Sequence, residues 1–441
     1  MYRFILLLAL GLLASITSGQ SILDQYVQEA IARNLSVKEK KLLEGKSRLS
    51  LQQANRMYGP DLRFLTSYTV AAGGRSIDFP IGTLLNDVYS TLNTLTGTQD
   101  FHLVEDQTVT FLPHNFYDTR FRITQPILQP EIKFNKLIRQ EEVNMAGLAT
   151  DQATRELIRN VKTAYLIWLQ YREGLLIIEQ GVTLLQENKR ITESLIRNGL
   201  ALPSALMRIE SEITSVEAQR ERAATDHINA AAYFNFLLQR AADSEIIADT
   251  FPGIPDIPVP STLNQREELQ QIQTGNKIQG LALSLEEKHF APRLGFQVDA
   301  GSQAYVPEWG GYVLAGVQLE IPIWDNRQSK LKRQEWEAGL ASNEARYEWT
   351  RQAMETQLRS EINNLRADLL IYESYTASLA SNQRYYNETL KRYKEGLSNY
   401  IELLDARTQV TQTQLQQNIA KYQSWIRQVD IERISASAIL P

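Results

Sequence analysis

The sequence predicts an α+β membrane protein in which long coiled-coil helices carry four short amphipathic β-strands. Three observations lead there: one ordered set of local patterns occurs twice along the chain, alternation of period two is confined to four segments, and two heptad seams run unbroken for many turns. Tyr58-Gly59-Pro60-Asp61-Leu62-Arg63-Phe64 returns as Phe290-Ala291-Pro292-Arg293-Leu294-Gly295-Phe296, an offset of 232. Ile123-Thr124-Gln125-Pro126-Ile127-Leu128 returns as Leu319-Glu320-Ile321-Pro322-Ile323-Trp324, an offset of 196, and Arg197-Asn198-Gly199-Leu200 returns as Lys394-Glu395-Gly396-Leu397 at 197. The fall from 232 to 196 places 36 extra residues between the two prolines of the first repeat.

The chain opens with Arg3 and the apolar run Phe4 to Ala14, followed by small residues to Gly19, the pattern of a secretory signal peptide over residues 1–19. That run is too short to span the roughly 30 Å of a bilayer core, and no later stretch approaches the ~20 apolar residues of a spanning helix. If the exported chain crosses a membrane, it does so with strands.

The first repeat is expected over 20–240: a helix, a β-hairpin about 61–125, and a helical hairpin about 131–240 with its tip near 199. Leu62, Phe64, Thr66, Tyr68 and Val70 alternate with Arg63, Leu65, Ser67 and Thr69; Tyr117, Thr119, Phe121 and Ile123 alternate with more polar neighbours. A long loop, about 73–115, joins them. Beyond it Leu157, Val161, Ala164, Trp168, Tyr171, Leu175, Ile178, Val182 and Leu185 step by four and three, a coiled-coil signature. Residues 241–262 form a Pro-rich linker around Phe251 to Pro260.

The second repeat, 263–441, has the same order: a helix, a hairpin about 293–321 with a short loop about 304–310, and a helical hairpin about 324–434 with its tip near 396. Leu294, Phe296, Val298 and Ala300, then Val313, Ala315, Val317 and Leu319, supply the alternation. The helical seam is Leu358, Ile362, Leu365, Leu369, Tyr372, Thr376, Leu379, Gln383, Tyr386, Leu390 and Tyr393. Pro60, Pro126, Pro292 and Pro322 mark junctions between strand and helix, where a fixed φ and a missing donor end one pattern and begin another. Trp168 and Trp349 read as core anchors.

Composition removes other classes. The 441 residues include no Cys and four His, so disulfides, thiolate metal sites and thiol nucleophiles are excluded and no metal or other cofactor is expected. A net charge of −5 gives no field for nucleic acid. No P-loop, nucleotide-binding Gly pattern, HExxH or nucleophile elbow is present, which argues against an enzyme. A secreted or periplasmic coiled-coil scaffold is the alternative, but it has no use for four amphipathic strands.

Four strands cannot close a barrel, and an open sheet in lipid leaves edges unpaired. Several chains must share one: two would give eight strands around a filled interior, three would give twelve and room for a pore.

The duplication, the Pro-Ile steps Pro126-Ile127 and Pro322-Ile323, and the Gly-containing tips followed by Leu404-Asp405-Ala406 resemble the TolC family of outer-membrane efflux proteins over about 22–437. The resemblance implies a homotrimer with a shared twelve-stranded barrel in the outer membrane of a Gram-negative bacterium and an α-helical barrel across the periplasm. It implies a periplasmic adaptor (membrane fusion protein) and an inner-membrane transporter as partners, and a channel that catalyses nothing. Glu402 and Asp405, three apart on one helical face, would line the aperture; the resemblance gives Tyr393 the role of holding it shut. The tips, about 190–208 and 387–405 and centred on Gly199, Leu200, Gly396 and Leu397, would dock the adaptor, with Leu202 and Tyr400 as further exposed apolar contacts. Two departures stand out: Ser398 replaces a basic residue common in the family, and Ala205 and Arg208 stand in the first tip where Glu402 and Asp405 stand in the second.

Overall fold

The structure, a computed structural model, describes residues 22–436 apart from 113, 250, 252 and 258–265. The expected leader lies outside the described residues, as do Pro252, Pro258 and Pro260 of the linker. In chain order the elements are α1 (Ile22–Arg33), α2 (Leu35–Arg56), β1 (Asp61–Thr69), β2 (Ser76–Phe79), α3 (Ile81–Thr96), β3 (Gln107–Thr110), β4 (Phe116–Leu128), α4 (Pro130–Arg197), α5 (Pro203–Leu237), α6 (Glu267–Glu287), β5 (Arg293–Tyr305), β6 (Gly311–Glu320), α7 (Gln328–Lys394) and α8 (Tyr400–Ser435). They fall into two compact units, one drawn from Ser50–Arg139 and Leu281–Trp336, the other from Gln140–Gly280, the chain from Glu337 onward and the segment up to Leu49.

The first unit holds an antiparallel sheet in the order β1-β4-β5-β6, so the hairpin of each repeat meets that of the other along β4 and β5. Phe64 stands opposite Phe121, Phe121 opposite Ala300, and Ala300 opposite Val313, which puts the apolar residues of all four strands on one face. That face is open: Phe64, Phe121, Val313 and Val317 are all more than half exposed. The opposite face is polar and sheltered along the central strands β4 and β5. There Asp299, buried, accepts two hydrogen bonds of 2.8 Å from Arg122, while Asp118 is held by Arg120 and by Tyr312 Oη at 3.1 Å. The arrangement inverts that of a water-soluble sheet. Among the described residues β1 pairs only with β4 and β6 only with β5, so both outer edges are unpaired.

Pro60 and Pro292 immediately precede β1 and β5, and Pro322 follows β6. Pro126 lies inside β4, where the pairing with β5 is bulged between Pro126 and Leu128, and the helix begins at Pro130. Pro lacks the donor a regular ladder needs, which suits a bulge, and at a helix's first position that donor is not missed. The long loop is also more ordered than alternation alone suggested. It folds into the two-stranded pair β2 and β3 and the 16-residue helix α3, whose Leu84, Val88, Leu92 and Leu95 recur at helical spacing.

Helices α4 and α7 are 68 and 67 residues long, about 100 Å each at 1.5 Å per residue. In the helical unit Leu157, Val161, Ala164, Trp168, Ile178, Val182 and Leu185 are buried, whereas Tyr171 is exposed. On α7 the two ends of the seam are buried, at Leu358 and Leu365 and at Tyr386 and Tyr393, while Thr376 and Gln383 between them are exposed. One core cluster joins Tyr26, Tyr165, Trp168, Phe234 and Tyr422. The described part of the linker is fastened to it: Tyr165 Oη donates to Ile247 O (2.9 Å) and accepts from Asp249 N (2.7 Å), and Trp425 Nε1 donates to Gly253 O (3.2 Å). Trp168 is thus an anchor, its ring stacked on His227 with centroids 5.6 Å apart. Trp349 is not: it is 71% exposed.

Candidate functional site: the paired helix tips

Both helical hairpins turn by the same device. At the end of α4, Leu200 N donates to Leu195 O (2.8 Å) and Gly199 N to Ile196 O (3.0 Å); at the end of α7, Leu397 N donates to Arg392 O (2.9 Å) and Gly396 N to Tyr393 O (3.0 Å). These nested bonds close the last turn as a Schellman motif, which requires a left-handed residue. Gly199 and Gly396 supply it at φ of +72° and +75°. The tips also meet, since a Cβ on Gly396 would lie 3.9 Å from Leu200 Cδ2.

The return helices start differently. Helix α5 starts with Pro203 after an extended Leu202. Helix α8 is capped by Asn399, whose side-chain oxygen accepts from Glu402 N at 3.0 Å. The Glu402 carboxylate reaches back to accept from Ser398 Oγ (2.5 Å) and Asn399 Nδ2 (3.3 Å). Asn399 thus caps the helix, and the Glu402 carboxylate, held by side chains rather than by the backbone N–H of Asn399, places its negative charge at the positive end of the helix. Asp405 is exposed and accepts from Gln409 Nε2 at 2.8 Å.

Tyr393 is buried, and its Oη lies 2.7 Å from Thr192 Oγ1. Thr192 in turn donates to Asn188 O at 2.9 Å, so the phenol is the donor of the pair and joins α7 to α4. Burial raises the Tyr393 pKa. Tyr400, expected on the surface, is buried instead; its ring lies 6.1 Å from that of Tyr393, and burial pushes its phenol well up. As the first residue of α8 it joins a buried cluster with Leu195, Ile209, Tyr386 and Tyr393, whereas Leu200, Leu202, Leu397 and Ile401 remain exposed. Those four, with Arg208 and Glu402, help to line a cleft of about 940 Å³.

A further contact could not be anticipated. Arg407, only 3% exposed, donates from Nη2 to Glu212 Oε1 at 3.1 Å, joining α8 to α5. Its Nε and Nη1 and the nearby Tyr400 Oη have no protein partner, and burial lowers the guanidinium pKa. The departures at Ser398 and Ala205 thus leave the tips tied by Thr192–Tyr393 and Glu212–Arg407. One signal for the first was available: Thr192 and Thr389 recur at the same offset of 197 as the two tip glycines, and both are buried. A lone Arg–Glu pair 195 residues apart offers none.

Among the described residues no group of His, Asp and Glu could hold a metal ion, and no helix is long and apolar enough to cross a membrane. The side chains gathered at the tips are apolar residues, hydroxyls and carboxylates.

Residues 260–437, which include nearly all of the second repeat, match the family described as Outer membrane efflux protein. The fold of the whole chain is that of outer-membrane channels. CmeC of Campylobacter jejuni, an outer membrane channel, superposes with a TM-score of 0.73 at 14% identity, over 94% of this chain and 85% of that one. The outer membrane protein VceC of Vibrio cholerae gives 0.71 at 12% identity, over 94% and 95%. The open state of the MtrE outer membrane channel of Neisseria gonorrhoeae gives 0.72 at 14% identity, over 94% and 88%. No curated protein matches the sequence.

Proposed function

We propose that this protein is the outer-membrane exit duct of a tripartite efflux or type I secretion system. Three copies close a twelve-stranded barrel, and their long helices form a tunnel that passively conducts substrates delivered by an inner-membrane transporter through a periplasmic adaptor. The carrying observation is the sheet: four strands with an exposed apolar face, a sheltered ionic face and both edges unpaired. Each unpaired backbone group costs several kcal/mol in lipid, so the edges must be covered, and copies of β1 and β6 are suited to cover one another. Strands of 9 to 13 residues, tilted by about 40°, cover about 23–33 Å, enough for an outer membrane. Trp309 and Trp324, both highly exposed, flank the edge strand β6 at its two ends, as interfacial aromatic belts do.

At the helix tips Glu402 and Asp405 would repeat three times around the aperture and form two carboxylate layers favouring cations. Tyr393, through Thr192, steadies the turn that carries them. Exposed Leu200, Leu202 and Leu397 are the contacts offered to the adaptor. Fractionation tests the reading: the protein should stay with outer membranes until detergent is added, then purify as a trimer that forms conducting pores. Release by osmotic shock as a soluble dimer would show a periplasmic scaffold instead. Crosslinking from Leu200→Cys and Leu397→Cys should capture the adaptor; capture of channel chains alone would remove docking from the tips.

A further inference from the structure

The insert between β1 and β4 is built with a face that nothing among the described residues covers. Helix α3 docks on the segment 101–106 through one side only. Asn86 exchanges two hydrogen bonds with the backbone of Val104, both 2.9 Å, and Asn93 exchanges two with Phe101, at 2.8 and 3.2 Å. Gly82 sits so close that a Cβ there would lie 2.4 Å from Val104 O. Asp106 accepts from Thr83 N (3.0 Å) and Thr83 Oγ1 (2.9 Å), and those bonds hold its carboxyl below the usual range. Residues 82, 86 and 93 lie on one side of the helix, so it is fixed in rotation about its axis. The fixed rotation leaves Leu84 (69% exposed), Val88 and Leu95 (78% exposed) outward on a stripe without charge, the helix's one charged residue, Asp87, lying off it.

The surroundings decide what can cover that stripe. Between Arg75 and Arg120 there is no Lys or Arg, while Asp78, Asp87, Asp100, Glu105 and Asp106 are acidic. Amphipathic helices that lie on anionic membrane surfaces carry basic polar faces, so this insert is unsuited to one. The insert grows from β1, an unpaired edge strand, which places its root at the seam a neighbouring copy must close. A charge-free stripe is complementary to itself, and turning it inward sends the acidic groups of all copies apart.

We propose that α3 is a contact between copies: the Leu84, Val88 and Leu95 stripes of three chains meet over the external mouth of the barrel and form an apolar constriction there. This rests on the proposed trimer. A narrow ring of aliphatic side chains opposes wetting and adds a second barrier, distinct from the carboxylates of the helix tips.

The chain has no native Cys, so Val88→Cys in the full-length protein gives a single reporter, with Ser90→Cys on the polar side of α3 as control. In detergent-purified trimer, oxidation should convert about two of every three V88C chains to disulfide dimer, since one of three cysteines on an axis is left over, and S90C chains should stay monomeric on a denaturing gel. The triple change Leu84→Ser, Val88→Ser, Leu95→Ser should raise single-channel conductance at least about twofold. An intact trimer in which V88C does not crosslink, or in which a fluorophore on V88C is quenched by brominated lipid, overturns the constriction and leaves the channel reading standing. A particle that is not a trimer overturns both.

Discussion

Arg407 shows how much a single buried charge can specify. Its guanidinium is almost wholly enclosed with one carboxylate partner, whereas Glu212 keeps partial access to water. Removing one member of such a pair costs about 3–5 kcal/mol when it strands the other in a buried site, but far less when the survivor can be hydrated. Glu212→Ala is therefore expected to lower thermal stability more than Arg407→Met, a difference that calorimetry of the purified trimer resolves; equal losses would mean Arg407 is hydrated. Glu268 supplies the acid response. Burial pushes its pKa up, but hydrogen bonds from Arg266 and Arg433 outweigh that and hold it at about 2, against an ordinary 4.5. A depressed carboxylate stabilises the fold above its unfolded pKa, so this contribution is complete above about pH 4.5 and disappears as pH falls towards 2. Glu268→Gln should lower the melting temperature at pH 7 and flatten its fall between pH 5 and 2. The tip glycines were legible in the sequence because a left-handed turn needs Gly, and the spacing of Glu402 and Asp405 was legible because α8 is regular. The capping role of Glu402 depends on Asn399 three residues earlier, a signature that was present but outweighed by the symmetry argument. The burial of Tyr400 depends on where α7 ends, which no local pattern reports.

At the scale of elements, period and register carried most of the information. The two long seams and four alternating strands follow from spacing alone, because a helix and a strand bury different intervals. Exposure along a seam does not follow, since a heptad position is buried only where another helix lies opposite. Thr376 and Gln383 keep the rhythm of α7 yet stay exposed, and Trp349, though apolar, lacks a covering neighbour among the described residues. Leu185, fully buried in the cluster with Ile178, Val182 and Val216, does have one. Leu185→Ala should cost about 2–5 kcal/mol, and Trp349→Ala close to nothing in the unfolding of a single chain. Denaturant titration separates the two; a large loss from Trp349→Ala alone would show that it is buried between copies. Helix α3 is not legible in the sequence because its short apolar stripe lies among turn-forming residues.

For the whole molecule, the test of the aperture must spare the helix cap. Glu402→Gln with Asp405→Asn keeps hydrogen-bonding groups where the carboxylates stand and removes only charge, so a reversal potential measured across a salt gradient should move towards the unselective value. An unchanged potential would locate selectivity elsewhere. The inverted sheet has one more consequence, for the order in which the protein is made. A sheet with its oily side outward and both edges open has no stable resting place in water, whereas the helical unit owns several cores of its own. On the proposed trimer, the helices would be ready before the strands, the hairpins would need masking until then, and the barrel would be completed only where lipid and sister chains arrive together.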